Sequence, residues 1–256
     1  MLRFLKRSSD IRVVRYLLIL VIANSVAGIS KLTPKDDHSD MNSVVLLHGL
    51  ARSSGSMQKM QTALEAAGFT TCNIEYPSTK HRIETLVLEH ILPKVTACLG
   101  TLESPIDFVT HSMGGILVRY MSEHSLIPLM GRVVMLSPPN HGSEIVDTLG
   151  DNWLFEYVNG PAGRELGTDS SSVPMQLGPA DFEVGIIAGS RSANPIFSSM
   201  IEGADDGKVS IEGAKLDGMK DFAVVPVSHS LIMKDETAIE QVIYFLKSGE
   251  FRKTGD

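Results

Sequence analysis

Ile106-Asp107-Phe108-Val109-Thr110-His111-Ser112-Met113-Gly114-Gly115 runs without a break into Ile116-Leu117-Val118-Arg119-Tyr120. The residues before Ser112 are mostly apolar and partly β-branched, the composition of a strand buried on both faces of a parallel sheet. After Ser112 the spacing of Ile116, Leu117, Tyr120 and Met121 is that of a helix with one buried face. The stretch is therefore read as strand, sharp corner, helix, with Ser112 at the corner. A serine in that place is held in a strained backbone conformation, its hydroxyl aimed out above the sheet. Close approach of strand and helix requires a small residue two places later, and Gly114 supplies it. Two places before the serine such corners usually carry another glycine. Here Thr110 stands instead, which suits a strand end but adds a Cβ where the turn is tight.

Similar units lie on either side. Ser43 to Leu47 reads as a buried strand leading into the small-residue loop His48-Gly49-Leu50-Ala51-Arg52-Ser53-Ser54-Gly55. A helix follows, with Met57, Met60, Leu64 and Ala67 on one face and Gly68 as its stop. Thr70 to Tyr76 is the next strand, and Arg82 to Leu99 a helix in which Pro93 predicts a kink. Beyond the serine helix, strands are expected over 131–136, 182–188 and 222–227, with a closing helix over 237–247. Residues 144–181 do not alternate cleanly and read as an insertion above the sheet. Its aromatic run at Trp153, Leu154, Phe155 and Tyr157 would either cover an acyl pocket or pack a helix onto the sheet. Strands alternating with helices of these lengths predict an α/β fold, a mostly parallel sheet with helices on both faces.

The chain has 256 residues, 43% of them hydrophobic, which is ample for one large α/β domain over about 42–256. A net charge of −7 and the lack of a basic stripe with interleaved aromatics argue against a nucleic-acid partner. The first 27 residues oppose that balance, with Arg3, Lys6, Arg7, Arg12 and Arg15 against the single acid Asp10. A short apolar core, Tyr16 to Ala23, and a small-x-small site ending at Ala27 complete the layout of a secretory signal peptide. Export, periplasmic or secreted, is the expectation, with an uncleaved membrane anchor as the alternative. Residues 28–41 read as a linker. Cys72 and Cys98 could pair in an exported protein or remain two buried thiols.

Thr110-His111-Ser112-Met113-Gly114-Gly115 after a buried strand, with Leu46-Leu47-His48-Gly49-Leu50 upstream, resembles the lipase and esterase branch of the α/β-hydrolase superfamily. Within it the likeness is to bacterial triacylglycerol-lipase-like and GPI inositol-deacylase-like serine esterases, from about Asn42 to about Leu246. The resemblance implies the α/β-hydrolase fold and a Ser-acid-His triad in that chain order.

Ser112 needs a base, because a hydroxyl alone is a poor nucleophile at neutral pH. His229 lies after a strand and before the last helix, where its loop can reach back over the serine. His141 also follows a strand and is the rival, but it precedes every good candidate for the acid. His111 is expected to line the site and His48 to brace its own loop. Asp206 is chosen as the acid because Gly207 directly follows it and Asp206-Gly207-Lys208-Val209 resembles the acid loop of lipases; the adjacent Asp205 stays open. The oxyanion donors expected are the backbone N–H groups of Met113 and Leu50, with Ala51 as substitute.

No ligand spacing for a metal and no dinucleotide fingerprint are present, so no cofactor is expected. The expected partner is a small-molecule or lipid ester. A thioesterase, amidase or acyltransferase could use the same triad. The competing reading is a non-catalytic protein of the same fold, a membrane-surface or partner-binding module, and Thr110 is its only support.

Overall fold

Among the described residues six strands form the core: β1 (Ser43–Leu47), β2 (Thr70–Ile74), β3 (Ile106–His111), β4 (Met130–Leu136), β5 (Val184–Gly189) and β6 (Asp221–Val225). They lie in the order β2-β1-β3-β4-β5-β6, and every pairing is parallel. The structure, a computed structural model, describes residues 43–100, 102–150 and 153–253, with the backbone alone for 153–157. The stretches read as signal peptide or anchor and as linker lie outside the described residues, as do the side chains of the aromatic run at 153–157. Among the described residues no helix is long and apolar enough to cross a membrane.

The helices are α1 (Gln58–Ala66), α2 (Ile83–Thr85), α3 (Leu92–Leu99), α4 (Met113–Glu123), α5 (Glu144–Leu149), α6 (Trp153–Arg164), α7 (Val173–Gln176), α8 (Pro195–Ser198), α9 (Ile211–Ala214) and α10 (Glu236–Ser248). Side chains alternate across a strand, so β3 feeds both apolar layers. Phe108 packs in the layer of Ile116, Leu117, Val87 and Val95, while Val109 packs in that of Met60, Leu64, Val242 and Phe245. All six residues of β3 are buried. Burying each of its large apolar side chains stabilises the fold by roughly 1.5–3 kcal/mol.

The kink expected at Pro93 takes a specific form. Between α2 and α3, Leu86–Ile91 is a π-helical segment, and Pro93 sits in the first turn of α3. A proline ring collides with the carbonyl four residues back and lacks an N–H. The widened turn absorbs both defects without ending the helix. The edge strands are shorter than their apolar runs. β6 ends at Val225 because Pro226 cannot donate to the ladder, and the Val227 N–H turns back to the Val225 carbonyl at 2.8 Å. β2 ends at Ile74, and Tyr76 leaves the ladder to stack on His48.

Cys72 on β2 and Cys98 on α3 are joined by a disulfide, with Cα atoms 6.2 Å apart. The alternative of two separate thiols is therefore set aside.

The insertion over 144–181 contains α5, α6 and α7. α6 is broken at Gly160, with φ 65° and ψ −166°, where a Cβ would lie 1.8 Å from the Thr79 carbonyl oxygen. Arg119, on α4, fastens the segment to the body. Its buried guanidinium donates to the carbonyls of Asn140 (2.9 Å), Pro174 (3.1 Å) and Leu177 (2.8 Å). Burial lowers its pKa to about 10, partly opposed by Glu123. Arg119 remains protonated at neutral pH.

Candidate active site

The corner between β3 and α4 places Ser112 at φ 53° and ψ −124°, a left-handed conformation that a residue with a Cβ adopts only under constraint. The constraints are visible. The Ser112 N–H donates to the Leu136 carbonyl at 2.9 Å, and the Gly115 N–H donates to the Ser112 carbonyl at 2.9 Å. A Cβ on Gly114 would lie 2.7 Å from the Leu47 carbonyl oxygen and 3.1 Å from that of His48. That position therefore requires glycine for strand and helix to meet. Thr110, at the place where a glycine was missed, is fully buried in β3 and paired in register with Leu47 and Met135. Its Cβ is accommodated within the sheet, and the corner keeps its strained geometry.

Three loops converge on Ser112 from the carboxyl edge of the sheet. His229, after β6, has Nε2 3.1 Å from Ser112 Oγ and Nδ1 2.9 Å from Asp206 Oδ2. Asp206 Oδ1 accepts from the N–H groups of Lys208 (3.0 Å) and Val209 (2.9 Å). The His229 N–H donates to the Asp206 carbonyl at 2.9 Å, so the acid and imidazole loops are also tied through backbone. Asp205 faces elsewhere, accepting from Ser198 Oγ and the Gly207 N–H. His141 is exposed, and its backbone N–H is bonded to the Gly213 carbonyl.

The loop after β1 closes the other side. His48 stacks on Tyr76, with ring centroids 3.9 Å apart, and its Nδ1 lies 2.9 Å from the Gly49 carbonyl oxygen. The Tyr76 hydroxyl donates to the His48 carbonyl. Gly49 lets the loop approach, since a Cβ there would lie 2.8 Å from His111 Nδ1. Ala51, at φ 53°, donates its N–H to Ser78 Oγ at 3.1 Å. Ala51 is thus spoken for as a donor. The Leu50 N–H has no partner among the described residues, and Met113 is the first residue of α4, where backbone N–H groups lack intrahelical acceptors.

A cavity of about 420 Å³ opens at Ser112 and His229. Ile145, Val146, Leu149, Val158 and Leu166 of the insertion form its apolar wall. Arg52 and Lys208 stand on its rim.

No known family profile matches the sequence, and no curated protein is significantly similar to it in sequence. Solved structures do match. The mature lipase BlEst2 of Bacillus licheniformis superposes with a TM-score of 0.63 at 20% identity, over 80% of this chain and 92% of that one. Its propeptide form matches over 52% of its length. The metagenomic carboxyl esterase MGS0156 matches with a TM-score of 0.59 at 19% identity, over 83% of this chain and 69% of that one. Phospholipase PlaB of Legionella pneumophila matches at 0.62 and 17% identity, over 81% of this chain and 58% of that one.

This chain has the α/β-hydrolase fold.

In this α/β-hydrolase fold the Asp206 carboxylate is held by more than His229. Burial alone would raise the Asp206 carboxyl, but the His229 charge and hydrogen bonds from His229, Ser137 and the Val209 N–H outweigh it and leave the pKa lowered. Asp206 is thus ionised at neutral pH. The Ser137 hydroxyl donates to that carboxylate and its oxygen accepts from the Gly189 N–H at 3.2 Å. A Cβ on Gly189 would fall 2.8 Å from Asp206 Cβ, so glycine is needed for the acid to nest there. Neither residue was singled out from sequence. The available signal was position, since Ser137 follows β4 and Gly189 ends β5 on the edge that carries the other groups. His111 lines the cavity, as expected, with its Nε2 3.0 Å from the His229 carbonyl oxygen. Burial, and then the charges of His229, Arg52 and Lys208, hold it well below the usual histidine range.

Proposed function

We propose that this protein is a serine hydrolase of carboxylic esters that works through an acyl-enzyme on Ser112. The observation that carries this reading is the unbroken line from Ser112 Oγ to His229 Nε2 at 3.1 Å and from His229 Nδ1 to Asp206 Oδ2 at 2.9 Å. With Nδ1–H donated to the Asp206 carboxylate, Nε2 is left as the acceptor of the serine proton.

In the reaction Ser112 Oγ attacks the acyl carbon while its proton passes to His229 Nε2. The charge on the former carbonyl oxygen is met by the N–H groups of Leu50 and Met113. Each such donor contributes roughly 3 kcal/mol in the transition state, because it needs no reorientation as the charge develops. The bond to the alcohol oxygen breaks, and His229 returns its proton to the leaving group. Water then attacks the acyl-enzyme with His229 again as base, releasing the acid and restoring Ser112. The apolar wall of the cavity suits the acyl chain.

The structural neighbours named as lipase, carboxyl esterase and phospholipase support this reading at the level of fold. Export of the mature chain, beginning near Gly28, belongs to the same proposal. The Cys72–Cys98 disulfide supports it, since such bonds persist in oxidising compartments. N-terminal sequencing of exported protein tests the cleavage site.

The mechanism is tested by fluorophosphonate labelling followed by site mapping. An adduct on Ser112 is expected, whereas a folded protein that stays unlabelled would favour a non-catalytic module. Ser112→Ala and His229→Ala should each lower kcat for ester hydrolysis by about 10⁶-fold. His141→Ala should cost far less, and equal damage from it would overturn the choice of base.

A further inference from the structure

We propose that Arg52 and Lys208 receive an anionic group, phosphate or carboxylate, carried by the ester substrate a few bonds from the carbonyl that Ser112 attacks. The proposal rests on the ester-hydrolase reading and names the substrate class for that site. Both side chains line the cavity that opens at Ser112, and they come from two different loops. Arg52 lies two residues after Leu50 on the loop that follows β1, and Lys208 two residues after Asp206 on the acid turn. Neither cation forms an ion pair with a carboxylate of its own on the surface among the described residues.

Their placement is costly for the unliganded site. Desolvation lowers the Lys208 pKa first, and repulsion from Arg52 adds to it, with Asp206 pulling the other way. Both cations act on His111, whose ring centroid lies 4.8 Å from that of His229. A substrate anion seated between the two cations offsets their mutual repulsion. It also supplies the missing partner, with the guanidinium offering a planar fork and the ammonium a point charge. Ile145, Val146, Leu149, Val158 and Leu166 give the same cavity an apolar wall, so the charge can sit with the two cations while the chain lies against that wall.

The test compares three short-chain substrates of the same acyl group: a monoacylglycerol, a monoacylglycerol phosphate and a monoacyl ester of glyceric acid. The readout is kcat/KM for each anionic ester divided by that for the neutral one. The ratio should exceed one in the wild type and fall as salt is added. It should drop about fivefold in Arg52→Gln or Lys208→Gln and about twentyfold in the double variant, the scale of partly exposed ion pairs. Arg52→Lys and Lys208→Arg should keep most of it. Preference for phosphate alone identifies a phosphate ester, and preference for both anions shows that charge alone is read. A wild-type ratio of one or less, or a ratio insensitive to salt and to the double substitution, overturns the anion site and leaves the esterase reading standing. Failure to hydrolyse any of the three, together with no fluorophosphonate adduct, overturns both.

Discussion

His229 Nδ1 lies 2.9 Å from Asp206 Oδ2, while the carboxylate of the preceding residue, Asp205, turns away to Ser198 Oγ at 2.8 Å. Consecutive side chains leave a turn in different directions, and Gly207, at φ 98°, folds the chain back behind Asp206. Asp206→Asn is expected to preserve the fold and to lower kcat by about 10⁴-fold, because an amide opposite Nδ1 favours the wrong tautomer. Asp205→Asn keeps an oxygen for Ser198 and Gly207 and should change kcat by less than about tenfold, near 1.4 kcal/mol. Steady-state kinetics on the two folded variants decides this, and the reverse ranking would sink the assignment of the acid.

Ser137 acts on the reaction through Asp206. Ser137→Ala removes a donor from that carboxylate and leaves the buried Gly189 N–H without its acceptor. A stability loss of about 1–3 kcal/mol is expected, the cost of an unpaired buried group. A positioning role also predicts that kcat falls by about tenfold while KM is unchanged, a modest electrostatic effect near 1.4 kcal/mol. A purely structural role would lower the amount of folded protein and leave its kcat intact, and urea titration alongside kinetics separates the two.

Gly114 and Gly115 are adjacent but differ in what a methyl group would meet. At Gly114 it would strike the Leu47 carbonyl oxygen at 2.7 Å, backbone that cannot yield without parting strand from helix. At Gly115 it would meet Pro138 Cβ at 3.0 Å and Met135 Sδ at 3.2 Å, of which the thioether can rotate away. Gly114→Ala should therefore cost about 1–3 kcal/mol and most of the activity, and Gly115→Ala less of both. Equal effects in thermal unfolding and esterase assays would contradict this ranking.

Acid should weaken the protein before its carboxylates titrate. The His48 and His111 rings are 0% and 1% exposed, and burial lowers both pKa values below the ordinary 6.5. A histidine whose folded pKa is depressed takes up its proton more readily unfolded. Stability is therefore undiminished above about pH 6.5 and falls as pH drops below it. Each histidine contributes at most about 1.4 kcal/mol per pH unit. Asp206, also lowered but from 3.8, loses its contribution only in a lower window, as pH falls through its folded value. Urea midpoints measured from about pH 7.5 down to about pH 5 should decline, and His111→Gln should flatten the slope. A flat wild-type profile would show that these rings are not held neutral.

The local reading of the sequence carried far where chemistry repeats at short range. Ile106 to His111 announces a buried strand through its own side chains, and Gly114 announces a close helix through the one it lacks. Ser112 and His229 could be nominated because each lies just past an apolar run, and parallel strands joined by right-handed crossovers put those ends on one edge. Asp206 is chosen for the Gly207 that follows it and for its likeness to the acid loop of lipases. The sequence pairs His229 with Asp206 and Ser112, 23 and 117 residues away, but the distances between them belong to the fold alone. The sequence already favours Leu50 over Ala51, but the reason the fold adds lies 27 residues further on, where Ser78 takes the Ala51 N–H. Ser137 and Gly189 matter only because β4 and β5 are neighbours, and nothing in their own surroundings in sequence marks them. Arg52 and Lys208 likewise read as ordinary surface charges until two loops bring them to the rim of one cavity. Periodicity records what each segment buries. Partnership depends on the order of strands in the sheet, and only the folded chain sets that distance.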